Sequence, residues 1–186
     1  MDKVEEAFLA TPRENFVPRE LKKDAWIDHA LPIGYGQTIS QPSTVEMMLR
    51  WLQPQPGNKV LDIGSGSGWT AALLSRIIGP KGRVYAVELI SELVEFGRNN
   101  SRRLGIKNAK FYKSGQELGL AKHAPYDRIL VSAAAEKFPD SLLEQLKLEG
   151  KMIVPVKNDI IEVKKEKNGQ FEATVHQGFV FVPLIV

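Results

Sequence analysis

The sequence predicts a doubly wound α/β fold: a mostly parallel sheet, antiparallel strands at its C-terminal end, and a helical and irregular extension before it. Three observations lead to this prediction. Short apolar segments alternate with helical patterns over residues 59–156, which is typical of parallel strands joined by right-handed crossover helices. A glycine-rich turn, GSGSG at residues 64–68, follows the first apolar segment, where open α/β sheets bind their ligands. Two further strand-like segments flank Asn168-Gly169, a dipeptide that favours the type I′ turn of a β-hairpin.

The N-terminal extension is predicted to contain two helices. Residues 2–10 form a short helix, and residues 11–41 are irregular because proline and glycine interrupt any regular pattern. Pro42 begins the second helix, since proline is tolerated in a first turn. The core-facing side chains of this helix recur at i, i+3, i+4 and i+7 and are Val45, Met48, Leu49 and Leu52.

Strands and helices then alternate through the predicted sheet. The strands are KVLDI at 59–63, RVYAVE at 83–88, AKFYK at 109–113, DRILVSA at 127–133 and KMIVPV at 151–156. The helices cover residues 69–78, 91–104, with Ser91 as its N-cap, and 139–148. Antiparallel strands follow at residues 159–167 and 171–182. The short apolar runs suit strands that are buried on both faces.

A single domain is predicted, because 186 residues match the size of one domain. Within it we expect three parts. Residues 1–55 form an extension that contacts the substrate as a lid, residues 56–156 form a ligand-binding core, and residues 157–186 form a C-terminal hairpin.

The composition excludes several function classes. The chain has no Cys and only three His, far apart, so thiolate catalysis is excluded and no metal is expected. No apolar run approaches the length of a membrane span, and the N-terminus lacks a secretory pattern, so we expect a cytoplasmic protein without a membrane partner. The net charge of +3 comes from scattered Lys and Arg and does not indicate a nucleic-acid partner. A monomer is expected.

The glycine loop that follows the first strand is predicted to hold a ligand. Gly64, Gly66 and Gly68 allow the backbone to turn tightly and to approach a ligand closely. The dinucleotide fingerprint fails when it is read from Gly64, because Trp69 stands at its last position; read from Gly66 it fits loosely and ends at Ala71. No Gly-Lys-Ser/Thr follows, which excludes a P-loop.

Two carboxylates narrow the identity of the ligand. Asp62, just before the glycines, suits a cationic ligand better than a pyrophosphate, which it would repel; S-adenosylmethionine carries an ammonium and a sulfonium. Glu88 ends the second strand, and its carboxylate offers acceptors for both hydroxyls of a ribose. Because NAD has such a ribose as well, Glu88 indicates a nucleoside and does not by itself choose the cofactor.

Several longer motifs resemble known families. VLDIGSGSGWTA and VYAVELISEL resemble the first motifs of the class I S-adenosylmethionine methyltransferases, which have a Rossmann-like fold. ALPIGYGQTISQP, YDRILVSAAAEKFPDSLLEQL and the final FVFVPL resemble the protein-L-isoaspartate O-methyltransferase family much more specifically, and PRENFVP near the N-terminus fits it too. The resemblance extends over residues 4–184.

This resemblance implies methyl transfer from S-adenosylmethionine, with S-adenosylhomocysteine as product, to the free carboxylate of L-isoaspartyl residues in damaged proteins and peptides. The ester then reacts to a succinimide, which starts repair. The resemblance places Ser40 at the catalytic position. The residues expected to bind the cofactor are Thr38, Ile39, Ser40, Asp62, Gly64, Ser65, Gly66, Gly68, Glu88, Leu89, Gly115 and Gln116. Those expected to contact the substrate are Tyr35, Gln37, Thr38, Ser40, Ala134 and Val180.

The chain departs from the family pattern at two places. Where the family has a Gly-Asp-Gly turn whose Asp lies near the adenine, this chain has Ser114, Gly115 and Gln116. An adenine contact is therefore missing or has moved to Gln116 or Glu117. Val180 stands where many bacterial members have Arg.

These departures leave open a methyltransferase with a diverged substrate, such as RNA or a small molecule, and a cofactor-binding protein that has lost catalysis. A nicotinamide-dependent oxidoreductase is a weaker alternative, since no acid or base suited to hydride transfer is found.

Methyl transfer to a carboxylate needs no general base, because a carboxylate is already ionised at neutral pH. The enzyme has to align the two reactants and exclude water. The segment IGYGQTISQP at residues 33–42 contains no acid or base and suits this task. Ser40 can donate a hydrogen bond to one carboxylate oxygen, and Thr38 or backbone N–H groups can donate to the other. The alternative for Ser40 is an N-cap of the helix that begins at Pro42.

Overall fold

The structure is a computed structural model that describes residues 1–185. Its helices are α1 (Lys3–Ala10), α2 (Pro42–Leu52), α3 (Trp69–Ile78), α4 (Ser91–Arg103) and α5 (Ser141–Glu144), with 3-10 helices at Arg13–Asn15, Arg19–Asp24 and Ala121–His123. Its strands are β1 (Leu31–Gly34), β2 (Gln37–Ile39), β3 (Lys59–Ile63), β4 (Arg83–Glu88), β5 (Ala109–Lys113), β6 (Tyr126–Val131), β7 (Leu146–Val156), β8 (Asp159–Lys165) and β9 (Phe171–Gln177). Within the described residues no helix is both long and apolar enough to cross a membrane.

A seven-stranded sheet forms the centre of the molecule. Its strand order is β5-β4-β3-β6-β7-β8-β9. Strands β3 to β7 are parallel, and β8 and β9 continue the sheet in antiparallel pairing. The chain moves outward from β3 in one direction to β5 and then returns to β6 on the other side, so the ends of β3 and β6 form the crevice where such sheets bind ligands. The predicted fold class is confirmed.

The core holds the end of β3 rigidly because this strand is buried on both faces. Val60 packs into an apolar cluster that α1 to α4 cover, together with Leu49 and Leu73. Leu61 points the other way, into a second cluster around Tyr126 that the loops and α5 cover. Both strand residues have no exposed surface. The residues that follow β3 therefore start from a fixed position.

The N-terminal extension contains more regular structure than the sequence predicted. Residues 11–41 include the hairpin β1–β2, in which Leu31 pairs with Ile39. The hairpin forms because Leu31, Ile33 and Ile39 bury their side chains in the main core, each at 5% exposure or less. Its tip at Tyr35 has a φ of 56°, a left-handed conformation that is uncommon outside glycine. The hairpin brings residues 38–40 close to the glycine loop.

The helix predicted at residues 139–148 is only one turn long. The chain leaves α5 after Glu144, and Leu146 pairs with Tyr126 at the start of β7. Leu146 is 2% exposed, so burial in the sheet overrides the helical pattern of this segment.

Two predicted local features are wrong. Ser91 is the first helical residue of α4, and the N-cap is Ile90, which makes no side-chain cap. The turn at Asn168-Gly169 is not type I′, because only Gly169 has a positive φ, of 84°. The N–H of Gly169 donates to the carbonyl of Glu166 at 2.9 Å, which gives a longer loop that ends in a left-handed glycine.

Candidate functional site

Three adjoining cavities open at the carboxyl ends of β3, β4 and β6. The central cavity, of about 90 Å³, lies between the glycine loop, residues 87–90 and residues 182–185. The loop cavity, of about 30 Å³, lies between residues 38–40 and the glycine loop. The outer cavity, of about 560 Å³, lies between residues 38–47 and residues 178–182.

A larger hollow lies beside them and is a weaker candidate. It has a volume of about 850 Å³ between the loops that follow β5 and β6, and shares Leu118 and Leu184 with the central cavity. Half of its lining residues are polar or charged, but none of them belongs to the glycine loop. It is the weaker candidate because open α/β sheets bind their ligands at the loop that follows the first strand.

The backbone of the glycine loop is held by β4. The N–H groups of Gly64 and Ser65 both donate to the carbonyl of Val87, at 2.9 and 3.1 Å, and the N–H of Gly66 donates to Glu88 Oε2 at 2.9 Å. Gly64 and Gly66 have φ values of 75° and 50°, in the region that favours glycine. Both line the central cavity, so the loop presents backbone atoms to it.

Gly68 was expected to bind the cofactor, and the structure gives it a packing role instead. It lines none of the three cavities, and its φ is 87°. A Cβ at this position would lie 2.9 Å from the Cα of Gly97 in α4. Close contact between the loop and α4 therefore accounts for this glycine.

Glu88 lies in the wall of the central cavity and is 7% exposed. Besides its bond from Gly66, it accepts a hydrogen bond at Oε1 from the N–H of Ile90, at 3.0 Å. Each carboxylate oxygen can accept a further hydrogen bond. The side chain thus fixes the loop on one side and offers acceptors to the cavity on the other.

Asp62, which the sequence predicts to bind the cofactor, lies behind the cavity wall. It has no exposed surface, and its Oδ2 accepts a hydrogen bond of 2.7 Å from Thr70 Oγ1. Thr70 lines the loop cavity in its place. Burial raises the pKa of Asp62 to about 7, against the lowering effect of the Thr70 hydroxyl, and the charge of Glu88 raises it further.

Ser40 does not cap the helix that follows it, so the alternative reading of this residue is wrong. The N-cap of α2 is Gln41, which makes no side-chain cap. Asp28 Oδ1 accepts the hydrogen bond from the N–H of Ser43 at 2.9 Å instead. The hydroxyl of Ser40 has no partner among residues 1–185, and the residue lines both the loop cavity and the outer cavity.

Thr38 and Ser132 lie where all three cavities meet, since both line each of them. Ser132 follows β6 directly, and its N–H donates to the carbonyl of Ile63 at 2.8 Å. Ser132 was not among the residues predicted from the sequence. The available signal was its position, as the first polar residue after a buried strand at the ligand-binding edge of the sheet.

Four other expected contacts lie elsewhere. Gly115 and Gln116 are exposed and do not line the central cavity, where Ser114 takes their place. Tyr35 lies at the hairpin tip, 60% exposed and outside the three cavities. The backbone of Ala134 is hydrogen-bonded to the C-terminal segment. Its N–H donates to the carbonyl of Val182 and its carbonyl accepts from the N–H of Leu184, both at 2.8 Å. The neighbouring Ala133 lines the central cavity.

The remaining expected residues lie in the cavity walls. Gln37 and Leu89 line the central cavity, Ile39 and Ser65 line the loop cavity, and Val180 lines the outer cavity. Val180 is 88% exposed and therefore stands at the rim.

The donor and acceptor groups of the site fit a polar ligand of the adenosylmethionine type. Ser65 lines the loop cavity, and its buried Oγ has no partner within the described residues. An unpaired buried polar atom is costly, and a bound ligand or a bridging water can satisfy it. Among residues 1–185 no group of three or more His, Cys, Asp or Glu is placed to hold a metal ion.

The fold with its cleft at the strand ends is that of the S-adenosylmethionine-dependent methyltransferases. The precorrin-6y C5,15-methyltransferase of Geobacter metallireducens shares it, with a TM-score of 0.58 and 20% identity over 77% of this chain and 89% of that chain. At this identity the likeness shows the fold alone.

Sequence comparison assigns the chain to one family within this class. The family profile described as protein-L-isoaspartate(D-aspartate) O-methyltransferase matches residues 1–186, and the chain belongs to this family. The protein-L-isoaspartate O-methyltransferase of Methanopyrus kandleri is 46% identical over 99% of this chain and 84% of its own length. That of Pyrococcus horikoshii is 45% identical over 99% of this chain and 85% of its own.

Solved structures agree with this assignment. A protein-L-isoaspartate O-methyltransferase matches the whole chain with a TM-score of 0.89 and 30% identity; this chain spans 62% of its length. The Plasmodium falciparum protein of this type, solved in complex with S-adenosyl-L-homocysteine, matches the whole chain with a TM-score of 0.87 and 26% identity over 91% of its own length.

Proposed function

We propose that this protein transfers the methyl group of S-adenosylmethionine to the carboxylate of L-isoaspartyl residues in damaged proteins and peptides. One observation carries the proposal beyond family membership. None of the described residues that line the loop and outer cavities is acidic, basic or a histidine, while Ser and Thr are abundant there. A site without titrating groups suits a nucleophile that is already ionised.

The central cavity would hold the cofactor. Glu88 has free acceptor positions for the ribose hydroxyls, and the backbone of Gly64 and Gly66 allows close approach. Ser114 and Leu118 line the same cavity and would contact the adenine. The cofactor supplies an electrophilic methyl on a sulfonium. Asp62 acts from behind the wall by holding the hydroxyl of Thr70.

The hydroxyl groups at the cavity junction would bind the substrate carboxylate. Ser40, Thr38 and Ser132 can each donate one hydrogen bond, and none of them has to remove a proton. Neutral donors fix the position of the carboxylate without holding its charge as strongly as a cation would, so the nucleophile stays reactive. Alignment of this kind can contribute on the order of 7–11 kcal/mol at best.

The three parts of the chain would divide the work. The extension at 1–55 supplies Thr38 and Ser40, the core at 56–156 supplies the cofactor walls, and residues 178–182 supply the outer wall. We further propose a cytoplasmic monomer that acts on polypeptides and has neither a membrane nor a nucleic acid as partner. The modest net charge of +3 supports the absence of a nucleic-acid partner.

Paired peptides test the proposal. The protein is offered radiolabelled S-adenosylmethionine and two peptides that differ only in isoaspartate or aspartate at one position, at mildly acidic pH where the methyl ester survives. We expect label in the isoaspartyl peptide. Binding of S-adenosylmethionine without transfer to that peptide would contradict the proposal and favour a diverged substrate or a loss of catalysis.

A further inference from the structure

Arg13 is a buried cation that the proposed chemistry does not use. It has no exposed surface. Burial lowers its pKa to about 10, so the guanidinium is charged at neutral pH. Its Nη1 donates to the carbonyl of Ala25 at 2.6 Å. Its Nη2 donates to the carbonyls of His29, Ile39 and Ser40 at 2.9, 3.3 and 3.0 Å. All four acceptors are backbone groups, from three separate segments.

The same guanidinium reaches the opposite wall of the loop cavity. Its Cζ lies 5.5 Å from the ring centre of Trp69, within the range of a cation–π contact. Trp69 is the first residue of α3 and comes directly after the glycine loop. Its indole is held in turn, because Nε1 donates to the carbonyl of Thr11 at 3.1 Å. Arg13 therefore contacts Ser40 on one side of the cavity and the start of α3 on the other.

We infer that Arg13 is a positioning residue for methyl transfer, because it holds the backbone of Ile39 and Ser40 and thereby sets the hydroxyl of Ser40 relative to the glycine loop. The inference rests on the proposed function. Lysine would keep the charge, but its single nitrogen on a flexible stem does not match four carbonyls in a fixed geometry. A shift of about 1 Å in a positioning group can lower turnover by about 10²-fold.

The substitution Arg13→Lys tests this. We expect kcat for an isoaspartyl peptide to fall at least tenfold, while the Kd for S-adenosylhomocysteine changes less than threefold. Turnover is counted per molecule competent to bind S-adenosylhomocysteine, so partial unfolding does not affect the result. Arg19→Lys, in an exposed 3-10 helix, is the matched control and should retain its kcat. An unchanged kcat per competent molecule, or equal losses in kcat and cofactor affinity, would overturn the inference.

A second readout does not depend on turnover. Amide hydrogen exchange at residues 37–41 should be faster in Arg13→Lys than in the wild type, and unchanged exchange would contradict the inference. If the wild type itself transfers no methyl group, the proposed function fails while exchange still tests the contact.

If Arg13→Lys does not fold, the substitution Trp69→Phe tests the inference in its place. It keeps an apolar ring but loses the indole N–H. It should accelerate the same exchange and lower kcat, and wild-type values for both would overturn the inference.

Discussion

Asp28 Oδ1 accepts a hydrogen bond of 2.9 Å from the backbone N–H of Ser43, in the first turn of α2. This bond, together with the bond from the Gln41 side chain, holds the pKa of Asp28 below its usual range. Because a carboxylate from the preceding loop caps the helix, the hydroxyl of Ser40 is free to face the cavities. Helix stability and catalysis are therefore assigned to different residues and can be separated by substitution.

Ser40→Ala should lower kcat/KM for an isoaspartyl peptide by about tenfold to a hundredfold, because a hydrogen bond to a charged group contributes about 1.5–3 kcal/mol. The Kd for S-adenosylhomocysteine and the melting temperature should change little, since the hydroxyl caps nothing. Steady-state kinetics, calorimetric titration and thermal unfolding measure the three quantities.

Two variants serve as controls for Ser40. Ser91→Ala removes an exposed hydroxyl that caps no helix and should leave all three quantities unchanged. Asp28→Ala should lower the unfolding free energy through the lost cap. Parallel losses of kcat/KM, cofactor affinity and stability in Ser40→Ala would show a structural role for this serine.

Glu88→Gln should weaken S-adenosylhomocysteine binding at least tenfold, or by about 1.4 kcal/mol. The amide would place a donor nitrogen against the N–H of Gly66 or Ile90, which now donate to the carboxylate at 2.9 and 3.0 Å, and it would remove an acceptor from the cavity. Isothermal titration measures the affinity. The exposed Glu92→Gln, in the first turn of α4, is the matched control; equal affinities in the two variants would rule out this role for Glu88.

Asp62 should make stability depend on pH. Its folded pKa of about 7, raised mainly by burial, lies above the unfolded value of about 3.9. The folded state therefore binds this proton more tightly. Asp62 contributes stability below about pH 4, loses it as the pH rises toward 7, and changes little above that.

The variant Asp62→Asn removes this titration and can keep the bond from Thr70. Relative to the wild type, the variant should gain unfolding free energy between about pH 4 and pH 7, by an amount on the order of a few kcal/mol. Urea unfolding of both proteins at a series of pH values measures the difference. Parallel pH profiles would contradict the assignment.

Gly68→Ala should destabilise the protein by about 2–4 kcal/mol. The added Cβ would lie 2.9 Å from Gly97, and the residue has a φ of 87°, so steric overlap adds to backbone strain. Gly115→Ala is the matched control, because nothing lies within 4 Å of its Cβ position and its φ is ordinary; it should change stability by less than about 0.5 kcal/mol. Denaturant unfolding compares the two, and similar losses would refute the packing role of Gly68.

The order of strands and helices in the core could be predicted from the sequence because their patterns are strong and local. The bounds of β3, β4, β5 and α3 match the predicted residues. The hairpin β1–β2 and the shortened α5 could not be predicted, because each depends on packing: Ile33 and Leu146 are buried by partners distant in sequence.

Part of the cavity walls could be predicted because local motifs mark it, and the rest depends on contacts between distant segments. Motif residues such as Glu88 and Ser40 could be located by their place at strand ends and in family segments. The cap from Asp28 and the position of Ser132 needed three-dimensional contacts, as did the displacement of Asp62 behind Thr70. A sequence motif marks the neighbourhood of a site and leaves open which side of the backbone faces the ligand.

The most direct test is the rate of methyl transfer to an isoaspartyl peptide compared with the same peptide containing aspartate, at saturating S-adenosylmethionine. We expect measurable transfer to the isoaspartyl peptide, little to the aspartyl peptide, and an isoaspartyl signal about tenfold to a hundredfold lower in Ser40→Ala. Equal labelling of both peptides, or binding of the cofactor with no labelling of either, would contradict the claim that these cavities position an isoaspartyl carboxylate for methylation.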